Sequence, residues 1–190
     1  MPSMKLFLFY FLLISQISLF AQEAATYQIR TVAFYNLENL FDTKNDTLIF
    51  DDDRTPTGKD HWTEERYKEK ITQMSKVISE IGSTENKTAP DLIGVCEVEN
   101  IRVLHDLVHH DNLSQTNYGI IHFDSPDERG IDVALLYKKD AFIPVNFNSH
   151  RLLLFDLAGK RNYTRDQLIV EGLLDNEKIY FLVNHWPSRS

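Results

Sequence analysis

The strongest constraint on the fold is a short, unbroken apolar run at residues 92–96, which Pro90 and Asp91 introduce and Glu97 follows directly. A continuous apolar run of this length is typical of a strand that is buried on both faces. It therefore favours a layered fold, in which other elements cover the strand on either side. A carboxylate at the end of such a strand is costly unless it is paired or bound to a metal, which makes Glu97 a candidate site residue.

Helical patterns flank this strand in the sequence. Thr63 is a suitable N-cap, and the two glutamates that follow it complement the positive end of a helix dipole. Apolar residues then recur every three or four positions as far as Ile81, and Gly82 ends the pattern, which predicts a helix lying on a sheet. A second helix is predicted after Asn100, with apolar residues at 103, 104, 107 and 108 facing inward.

The remaining apolar segments predict strands, and the order of the elements indicates the fold class. Strands are predicted at residues 28–35, 92–96, 118–123, 131–137, 168–174 and 179–183, with weaker candidates at 141–148 and 151–155. Residues 175–178 read as the turn of a hairpin. Strands and helices alternate early and strands follow one another later, which predicts an α/β layered sheet with some antiparallel pairing.

Polar residues stand at the ends of several predicted strands, where sheet enzymes gather their sites. Asn36, Glu97 and His185 each follow an apolar strand, whereas Arg165 and Asp132 lie just before or at the start of one. Antiparallel strands bring starts and ends to the same edge, so we expect these side chains to meet. The face of the strand that carries Asp132 is otherwise apolar, and it would hold a carboxylate only if a charged group lay opposite.

These residue types restrict the chemistry. A carboxylate with an amide, as in Glu97 with Asn36, suits a hard cation such as Mg²⁺. An arginine can hold phosphate oxygens through two parallel hydrogen bonds. A histidine oriented by an aspartate can act as an acid or base near neutral pH, or as a cation facing a phosphate. Together they indicate metal-assisted hydrolysis of a phosphoester; the alternative is that the histidine is a hydrogen-bonded structural residue.

Two further features carry weaker chemical signals. Residues 42–60 are rich in Asp, Asn, Thr, Pro and Gly and predict a long surface loop. Its run of three aspartates at 51–53 suggests calcium, but the spacing breaks the EF-hand pattern, so we expect a solvated acidic loop.

Cys96, the only cysteine, excludes an intramolecular disulfide. It lies in an apolar run, so we expect a small buried hydrophobe rather than a nucleophile.

The first 21 residues predict a signal peptide. A short segment with one positive charge, Lys5, precedes an apolar run at residues 6–20, and Ala21 is a small residue suited to cleavage before Gln22. The alternative is a membrane anchor, but the run is shorter than the roughly 20 apolar residues of a span and contains polar residues. We therefore expect export to the periplasm or the outside, no stable membrane span after cleavage, and one domain at residues 22–190.

The net charge limits the binding partners. It is −8, and it would be −9 after Lys5 is removed with the leader. This balance argues against a broad basic face for sequence-independent binding of nucleic acid, although it leaves room for a cationic pocket or a divalent metal. The sequence predicts no protein partner.

Six blocks, in this order, resemble the endonuclease/exonuclease/phosphatase superfamily, and most closely its secreted bacterial branch. They are FYNLENLFD from Phe34, WTEERYKEK from Trp62, PDLIGVCEVEN from Pro90, SPDERGIDVALLY from Ser125, TRDQL from Thr164 and NHWPSR from Asn184. The resemblance implies a DNase I-like layered α/β sandwich, a mixed sheet with flanking helices. It also implies a metal-dependent hydrolase of phosphodiester bonds, with an exported, endonuclease-like nuclease as the first expectation.

The resemblance also implies roles for individual residues. Asn36 matches the family asparagine that helps to position the metal and the scissile phosphate, and Glu97, rather than Glu99, matches the metal-binding glutamate. Asp132 resembles the acidic partner that orients the first catalytic histidine, here His185. Arg165 resembles the arginine that contacts phosphate. The implied cofactor is Mg²⁺, with Mn²⁺ or Ca²⁺ as alternatives.

The sequence departs from the family in one respect. The later Gly-Asp-Phe-Asn and Ser-Asp-His motifs, which supply further metal ligands and the general base, would lie beyond Ser190. We therefore expect an N-terminal fragment, about half of the sandwich, that is inactive alone. Two alternatives to a nuclease remain: a phosphatase or phosphodiesterase acting on a small molecule or lipid head group, and a non-catalytic fragment that binds phosphate ligands or a partner.

Overall fold

The fold is described from a computed structural model in which residues 27–86 and 88–187 are defined. The predicted signal peptide, residues 1–21, lies outside the described residues. Within the described part of the chain, no helix is both long enough and apolar enough to cross a membrane.

A four-stranded mixed sheet forms the centre of the fold. Its strands are β1 (Val32–Leu40), β2 (Leu92–Val98), β3 (Tyr118–His122) and β4 (Asp132–Lys138), in the order β1-β2-β4-β3. β1 and β2 run parallel, whereas β4 is antiparallel to both of its neighbours. The strand predicted from the apolar run is central and buried on both faces, as expected.

The longest helix lies on one face of this sheet. α1 (Glu64–Glu80) begins after Thr63, whose Oγ1 accepts a hydrogen bond from the backbone N–H of Arg66 at 3.4 Å. Gly82 follows the helix with a φ of 74°, in the left-handed region that glycine adopts without strain. A single turn, α2 (Ser83–Asn86), comes next.

A second helix, α3 (Ile101–His109), packs beside α1. The side chain of Asn100 caps it by accepting two backbone hydrogen bonds from its first turn, so the predicted cap is confirmed. The apolar faces of both helices and one face of the central sheet form a single buried cluster. Short 3₁₀ turns at Asp52–Arg54 and Ser114–Thr116 complete the helical elements.

A second, three-stranded antiparallel sheet has the order β5-β8-β9. Its strands are β5 (Phe142–His150), β8 (Gln167–Leu174) and β9 (Glu177–Val183), while β6 (Leu154–Phe155) and β7 (Arg161–Asn162) form a separate two-stranded ribbon. Asp175 and Asn176 connect β8 to β9 with φ angles of 50° and 70°. A two-residue turn with two positive φ angles suits the twist of a tight hairpin, and its residue types are those that tolerate this conformation.

The second sheet packs on the face of the central sheet opposite the helices. The buried cluster between the sheets joins Leu92, Cys96, Val133 and Leu135 to Phe142, Leu168, Val170 and Val183. The Cys96 side chain is 1% exposed, which confirms that it is a small buried hydrophobe. The order of layers is therefore helices, mixed sheet, second sheet, which is the layered α/β sandwich that the sequence predicts.

The outer face of the second sheet is apolar and exposed to solvent. Ile143, Val145, Tyr180 and Leu182 are 57–61% exposed, and Phe34, on the face of β1 turned toward Val183, is 55% exposed. The described residues therefore leave apolar surface on the second sheet and along β1.

The loop at residues 42–60 departs from its prediction. It is a loop with one short 3₁₀ turn, as expected, but it is not uniformly solvated: Asp42 and Asp51 are 6% and 1% exposed. Both carboxylates are turned inward because the loop folds back on itself and on the end of β2. The Asp46 N–H donates to Asp51 Oδ2 at 2.9 Å, and the Asp42 N–H donates to Glu99 Oε2 at 2.6 Å.

Candidate active site

Three of the predicted site residues lie at one edge of the central sheet. Asn36 pairs with Cys96 across the parallel strands β1 and β2, so Asn36 and Glu97 reach the same edge. Asp132 begins the antiparallel strand β4 opposite Val98, which brings it to that edge as well. The strand topology therefore gathers these side chains although they are far apart in sequence.

The other two predicted residues lie at the adjoining end of the second sheet. Leu168 pairs with Val183, so Arg165, just before β8, and His185, just after β9, flank the same end. The Arg165 Nη2 group donates to the carbonyl of Trp186 at 3.2 Å. His185 joins the two sheets, because its Nε2 lies 3.4 Å from Glu97 Oε1.

Glu97 is presented by a β-bulge. The pairing register shifts between Cys96 and Val98, and Glu97 has a φ of 60°. For a non-glycine residue this left-handed conformation costs roughly 1–2 kcal/mol. Bulges re-aim side chains, and this one leaves the Glu97 side chain 15% exposed at the edge, where its Oε2 accepts a hydrogen bond from the Asn39 N–H at 3.1 Å.

A matching irregularity in β1 holds Asn36. The register also shifts between Asn36 and Leu40, and the two residues between them with positive φ are Glu38 at 52° and Asn39 at 59°. Asn36 Oδ1 accepts a hydrogen bond from the Glu38 N–H at 2.7 Å, which fixes the orientation of the amide. Both bulges therefore turn oxygen ligands and backbone N–H groups toward the same edge.

The environment of His185 favours the neutral form of its imidazole. Burial, and next the nearby Arg165, lower the pKa of its imidazole below the ordinary value of 6.5, while Glu97 opposes the shift. The ring is therefore uncharged at neutral pH, so it faces Glu97 as a neutral donor or acceptor rather than as a cation. Its Nδ1 is buried and has no hydrogen-bond partner among the described residues.

The expected pairing of Asp132 with His185 is not what the structure shows. Asp132 Oδ2 lies 3.0 Å from His122 Nε2, and Asp132 Oδ1 accepts a hydrogen bond from the Ser125 N–H at 2.8 Å. His122 closes β3 beside the start of β4, so it is the polar partner of Asp132 on a face that is otherwise apolar. The carboxylate that contacts His185 is Glu97 instead.

Arg165 is fixed by a buried ion pair that the sequence did not reveal. Its Nη1 donates to Asp127 Oδ2 at 2.8 Å, and the two side chains are 6% and 4% exposed. Asp127 comes from the loop between β3 and β4, so the pair ties that loop to the end of β8. Within the part of the chain that the structure describes, Arg165 Nε is buried and has no hydrogen-bond partner.

Unpartnered buried polar atoms are concentrated in two segments that adjoin the same end of the second sheet. Buried polar groups are nearly always hydrogen-bonded, so a buried polar atom without a partner is a candidate contact for a ligand or a water. Within the described residues, most exceptions come from the segment before β8 and the segment after β9: Arg161 Nε and Nη2, Thr164 Oγ1, Arg165 Nε, Asp166 Oδ1, Asn184 Oδ1 and His185 Nδ1. A bound ligand would give such atoms their partners.

Two residue groups at this edge offer metal ligands. Glu97 and Asn36 supply a partly exposed carboxylate and an amide on neighbouring strands, the donor types that Mg²⁺ prefers. His122, Asp124 and Asp132 also have ligand atoms within 4.8 Å of one another. Asp132 already accepts two hydrogen bonds and Asp124 is 88% exposed, while Glu97 and Asn36 each also accept a backbone hydrogen bond. Both groups are therefore candidate metal sites.

A cavity of about 250 Å³ adjoins the Glu97 edge at Asn39. Arg54 lies in its wall with the guanidinium carbon 5.3 Å from the centroid of the Phe41 ring, and Arg129 and the 67% exposed ring of Phe50 also line it. The cavity thus combines two cationic groups and one carboxylate, Asp53, with an aromatic surface next to the candidate metal ligands, and Arg54 is also paired with Asp60 at 3.0 Å.

Comparison with known proteins identifies the family but not a close relative. No curated protein matches the sequence. Similar solved structures include D. rerio TDP2 humanized by 14 mutations (12% identity, TM-score 0.47, covering 84% of this chain and 48% of that one). A second is a Bacteroides vulgatus endonuclease/exonuclease/phosphatase (14% identity, TM-score 0.44, covering 79% of this chain and 49% of that one). A third is the Bacteroides thetaiotaomicron mannosyl-6-phosphatase Bt3783 (18% identity, TM-score 0.42, covering 81% of this chain and 49% of that one).

The chain spans about half the length of each of these structures. A sequence model described as Endonuclease/Exonuclease/phosphatase family matches residues 31–190, which include all five predicted site residues. The chain therefore belongs to the endonuclease/exonuclease/phosphatase family.

Proposed function

We propose that the intact protein hydrolyses phosphoester bonds with a divalent metal, at the edge formed by Glu97, Asn36, Arg165 and His185. The observation that carries the proposal is the contact between the sheets at this edge: His185 Nε2 lies 3.4 Å from the partly exposed Glu97 carboxylate, and Arg165 flanks the same end of the second sheet as His185. A phosphate group, with its several acceptor oxygens, would satisfy donors such as Arg165 Nε. Family membership agrees with this chemistry, because nucleases and phosphatases both cleave phosphoester bonds.

Each residue has a distinct role in this proposal. Glu97 and Asn36 would hold Mg²⁺, with Mn²⁺ or Ca²⁺ as alternatives, and the ion when bound supplies Lewis-acid stabilisation of charge on the phosphate. Arg165, held by Asp127 and Trp186, would contact a phosphate oxygen through its guanidinium group. Neutral His185 accepts or donates a hydrogen bond at Nε2, and its contact with Glu97 fixes the ring. Asp132 positions this edge through His122 and the Ser125 loop.

The nuclease reading is favoured by the cavity next to Glu97. A phosphomonoester presents one anionic group, whereas a nucleic acid presents further phosphates and bases on either side of the bond that is cut. Arg54 and Arg129 suit a neighbouring phosphate, and the exposed Phe50 ring suits stacking with a base. The net charge of −8 is the counterargument, and it is the reason to keep a small phosphoester as the second candidate.

Substrate class is tested on the product of the intact native gene. We expect cleavage of plasmid DNA or RNA, and of bis(p-nitrophenyl) phosphate faster than p-nitrophenyl phosphate. All hydrolysis should stop in EDTA and return with Mg²⁺. Activity that persists in EDTA contradicts the proposal, while a preference for the monoester or for phospholipid head groups selects the second candidate. The 190-residue chain is assayed alongside, and phosphate binding by it without turnover identifies the non-catalytic alternative.

Site variants separate catalysis from folding. Glu97→Gln should abolish the response to Mg²⁺ because it removes the charged ligand, and His185→Ala should slow turnover at least tenfold. The matched controls are Glu80→Gln and His150→Ala, which make the same changes at exposed positions away from this edge. Site variants as active as the controls would show that the edge is not the active site.

Export is a separate part of the proposal, and it rests on the leader sequence alone. Expression of the native gene with cell fractionation should recover a product that begins at Gln22 in the periplasm or the medium. A cytoplasmic product that retains residues 1–21 would contradict it.

A further inference from the structure

The sequence block at residues 62–70 supplies none of the candidate site residues, yet two of its side chains reach the edge of the central sheet where those residues lie. The block contains Trp62, the helix cap and the first two turns of α1. Lys70 Nζ donates to the backbone carbonyl of Glu38 in β1. The Trp62 indole N–H donates to the carbonyl of Phe41, just after the same strand, at 2.9 Å. The block therefore contacts both ends of the segment at residues 38–41.

The two donor side chains are packed together. Lys70 Nζ lies 5.7 Å from the centroid of the Trp62 ring, and the guanidinium carbon of Arg66 lies 5.4 Å from it. Arg66 Nη1 in turn donates to the carbonyl of His61 at 3.1 Å, which ties the helix to the chain that precedes it. Contacts within the block, including the attraction of both cations to the indole ring, therefore hold the two donors in place.

The segment that they contact contains strained backbone. The bulge of β1, formed by Glu38 and Asn39, has φ angles of 52° and 59°, in the left-handed region that residues with a Cβ seldom adopt. Such strain persists only where the surrounding structure holds it. The candidate metal ligands supply two of the contacts that do so. Glu38 N–H donates to Asn36 Oδ1 at 2.7 Å, and Glu97 Oε2 accepts from the second bulge residue at 3.1 Å.

A metal ion at this edge would compete with the bulge for the same oxygen atoms. An ion bound by Asn36 and Glu97 would draw on the lone pairs that now accept hydrogen bonds from the bulge. The carbonyls that Lys70 and Trp62 contact belong to neither of those two residues, so these contacts do not have to give way to an ion. They are therefore a support for the bulge that does not compete with the metal.

We propose that Lys70 and Trp62 are positioning residues for the candidate metal ligands. They hold the β1 bulge from α1, and the bulge orients Asn36 and Glu97 through its two backbone N–H groups. Both side chains act through the backbone of the bulge, and neither is assigned a contact with the ion or the substrate. The inference rests on the proposed function, because positioning of these oxygens matters only where they bind a metal.

Lys70→Met tests the proposal on the product of the intact native gene. Methionine keeps an unbranched side chain against Trp62 but removes the donor to the Glu38 carbonyl. We expect the backbone amides of Glu38 and Asn39, followed by NMR in ¹⁵N-labelled protein without metal, to exchange hydrogen about tenfold faster than in the wild type. Lys70→Arg keeps a cationic donor and should retain slow exchange. Lys76→Met, at an exposed position of the same helix, should behave as the wild type does.

Metal affinity gives a readout whose sign separates positioning from charge. Mn²⁺ binding to the same proteins is titrated by electron paramagnetic resonance. The positive charge of Lys70 interacts with Glu97, so the loss of charge alone predicts that Lys70→Met binds Mn²⁺ more tightly. Positioning predicts the opposite result, a Kd about tenfold higher, because the groups that orient the ligands are lost. Lys70→Arg should bind Mn²⁺ as the wild type does.

Trp62→Phe is the second variant, and it keeps the proposal testable if Lys70→Met fails to fold. It removes the donor to the Phe41 carbonyl but keeps an aromatic ring, and it should raise the amide exchange rates and the Kd in the same direction. Unchanged exchange in both variants overturns the inference, and so does Mn²⁺ binding that is unchanged or tighter in Lys70→Met. A wild type that binds no Mn²⁺ contradicts the proposed function and this inference together, whereas the first two results, with a wild type that binds, overturn the inference alone.

Discussion

The buried ion pair between Arg165 and Asp127 offers a quantitative test of how the site is held together. Its atoms lie 2.8 Å apart and its side chains are 6% and 4% exposed, so solvent cannot compensate either charge if the other is removed. Removing one partner of such a pair costs about 3–5 kcal/mol. Asp127→Asn is the sharpest perturbation, because an amide oxygen can still accept the turn hydrogen bond that the Arg129 N–H donates at 3.0 Å.

A double-mutant cycle measures the interaction free energy between Arg165 and Asp127. Arg165→Met should destabilise the fold by a similar amount, and the double variant should cost less than the sum of the two, by up to about 3 kcal/mol. Asp60→Asn is the matched control, because Asp60 forms a 3.0 Å pair with Arg54 in which both side chains are 35–40% exposed, and such pairs contribute at most about 1 kcal/mol.

Urea unfolding followed by tryptophan fluorescence and circular dichroism gives each free energy. If Asp127→Asn costs no more than Asp60→Asn, the pair does not anchor Arg165, and its proposed role in orienting the phosphate contact fails with it. Unchanged m-values would show that the variants alter stability and not the extent of unfolding.

Three other expectations are tested on the same protein. The Cys96 thiol, whose pKa burial raises to about 12, should react with a disulfide reagent only on unfolding, and rapid labelling of the native protein would contradict its position between the sheets. Gly172→Ala should destabilise by about 1–3 kcal/mol, measured by urea unfolding, because the new Cβ would lie 2.1 Å from Cζ of the buried Phe142 ring. Because the folded state lowers the pKa of His185, stability should fall as the pH drops below 6.5, and His185→Gln should reduce that slope in urea titrations.

Several elements could be predicted because their signals are local. The apolar stripe of α1 and its Thr63 cap depend on residues three or four positions apart, so the helix was predicted within a residue of its observed start. The same holds for the cap at Asn100. The hairpin is also where it was predicted, but its turn is the two residues Asp175 and Asn176 rather than residues 175–178, and β9 begins at Glu177. Local rules were sufficient in each case.

Strand boundaries were less predictable because pairing sets them. β1 was expected to end near residue 35, yet it continues to Leu40 through a bulge in which Glu38 and Asn39 adopt positive φ angles. The weak strand predicted at 151–155 shrinks to Leu154–Phe155, which pairs only with a two-residue partner. Neither strand boundary could be predicted from the alternation of polar and apolar residues, because each boundary depends on the strand that pairs with it in the folded protein.

The sequence by itself determined the layered α/β fold and placed Glu97, Asp132, Arg165 and His185 at or beside strand ends, because burial patterns and turn chemistry depend on neighbouring residues. Asn36, expected at the end of β1, lies inside that strand before its bulge. Only the tertiary structure decided which side chains meet. Asp132 pairs with His122, His185 faces Glu97, and Arg165 is held by Asp127. Asp51, expected in solvent, is buried near Glu99. These contacts depend on strand order and on the path of a folded loop, and interactions between residues distant in sequence leave no periodic signal along the chain.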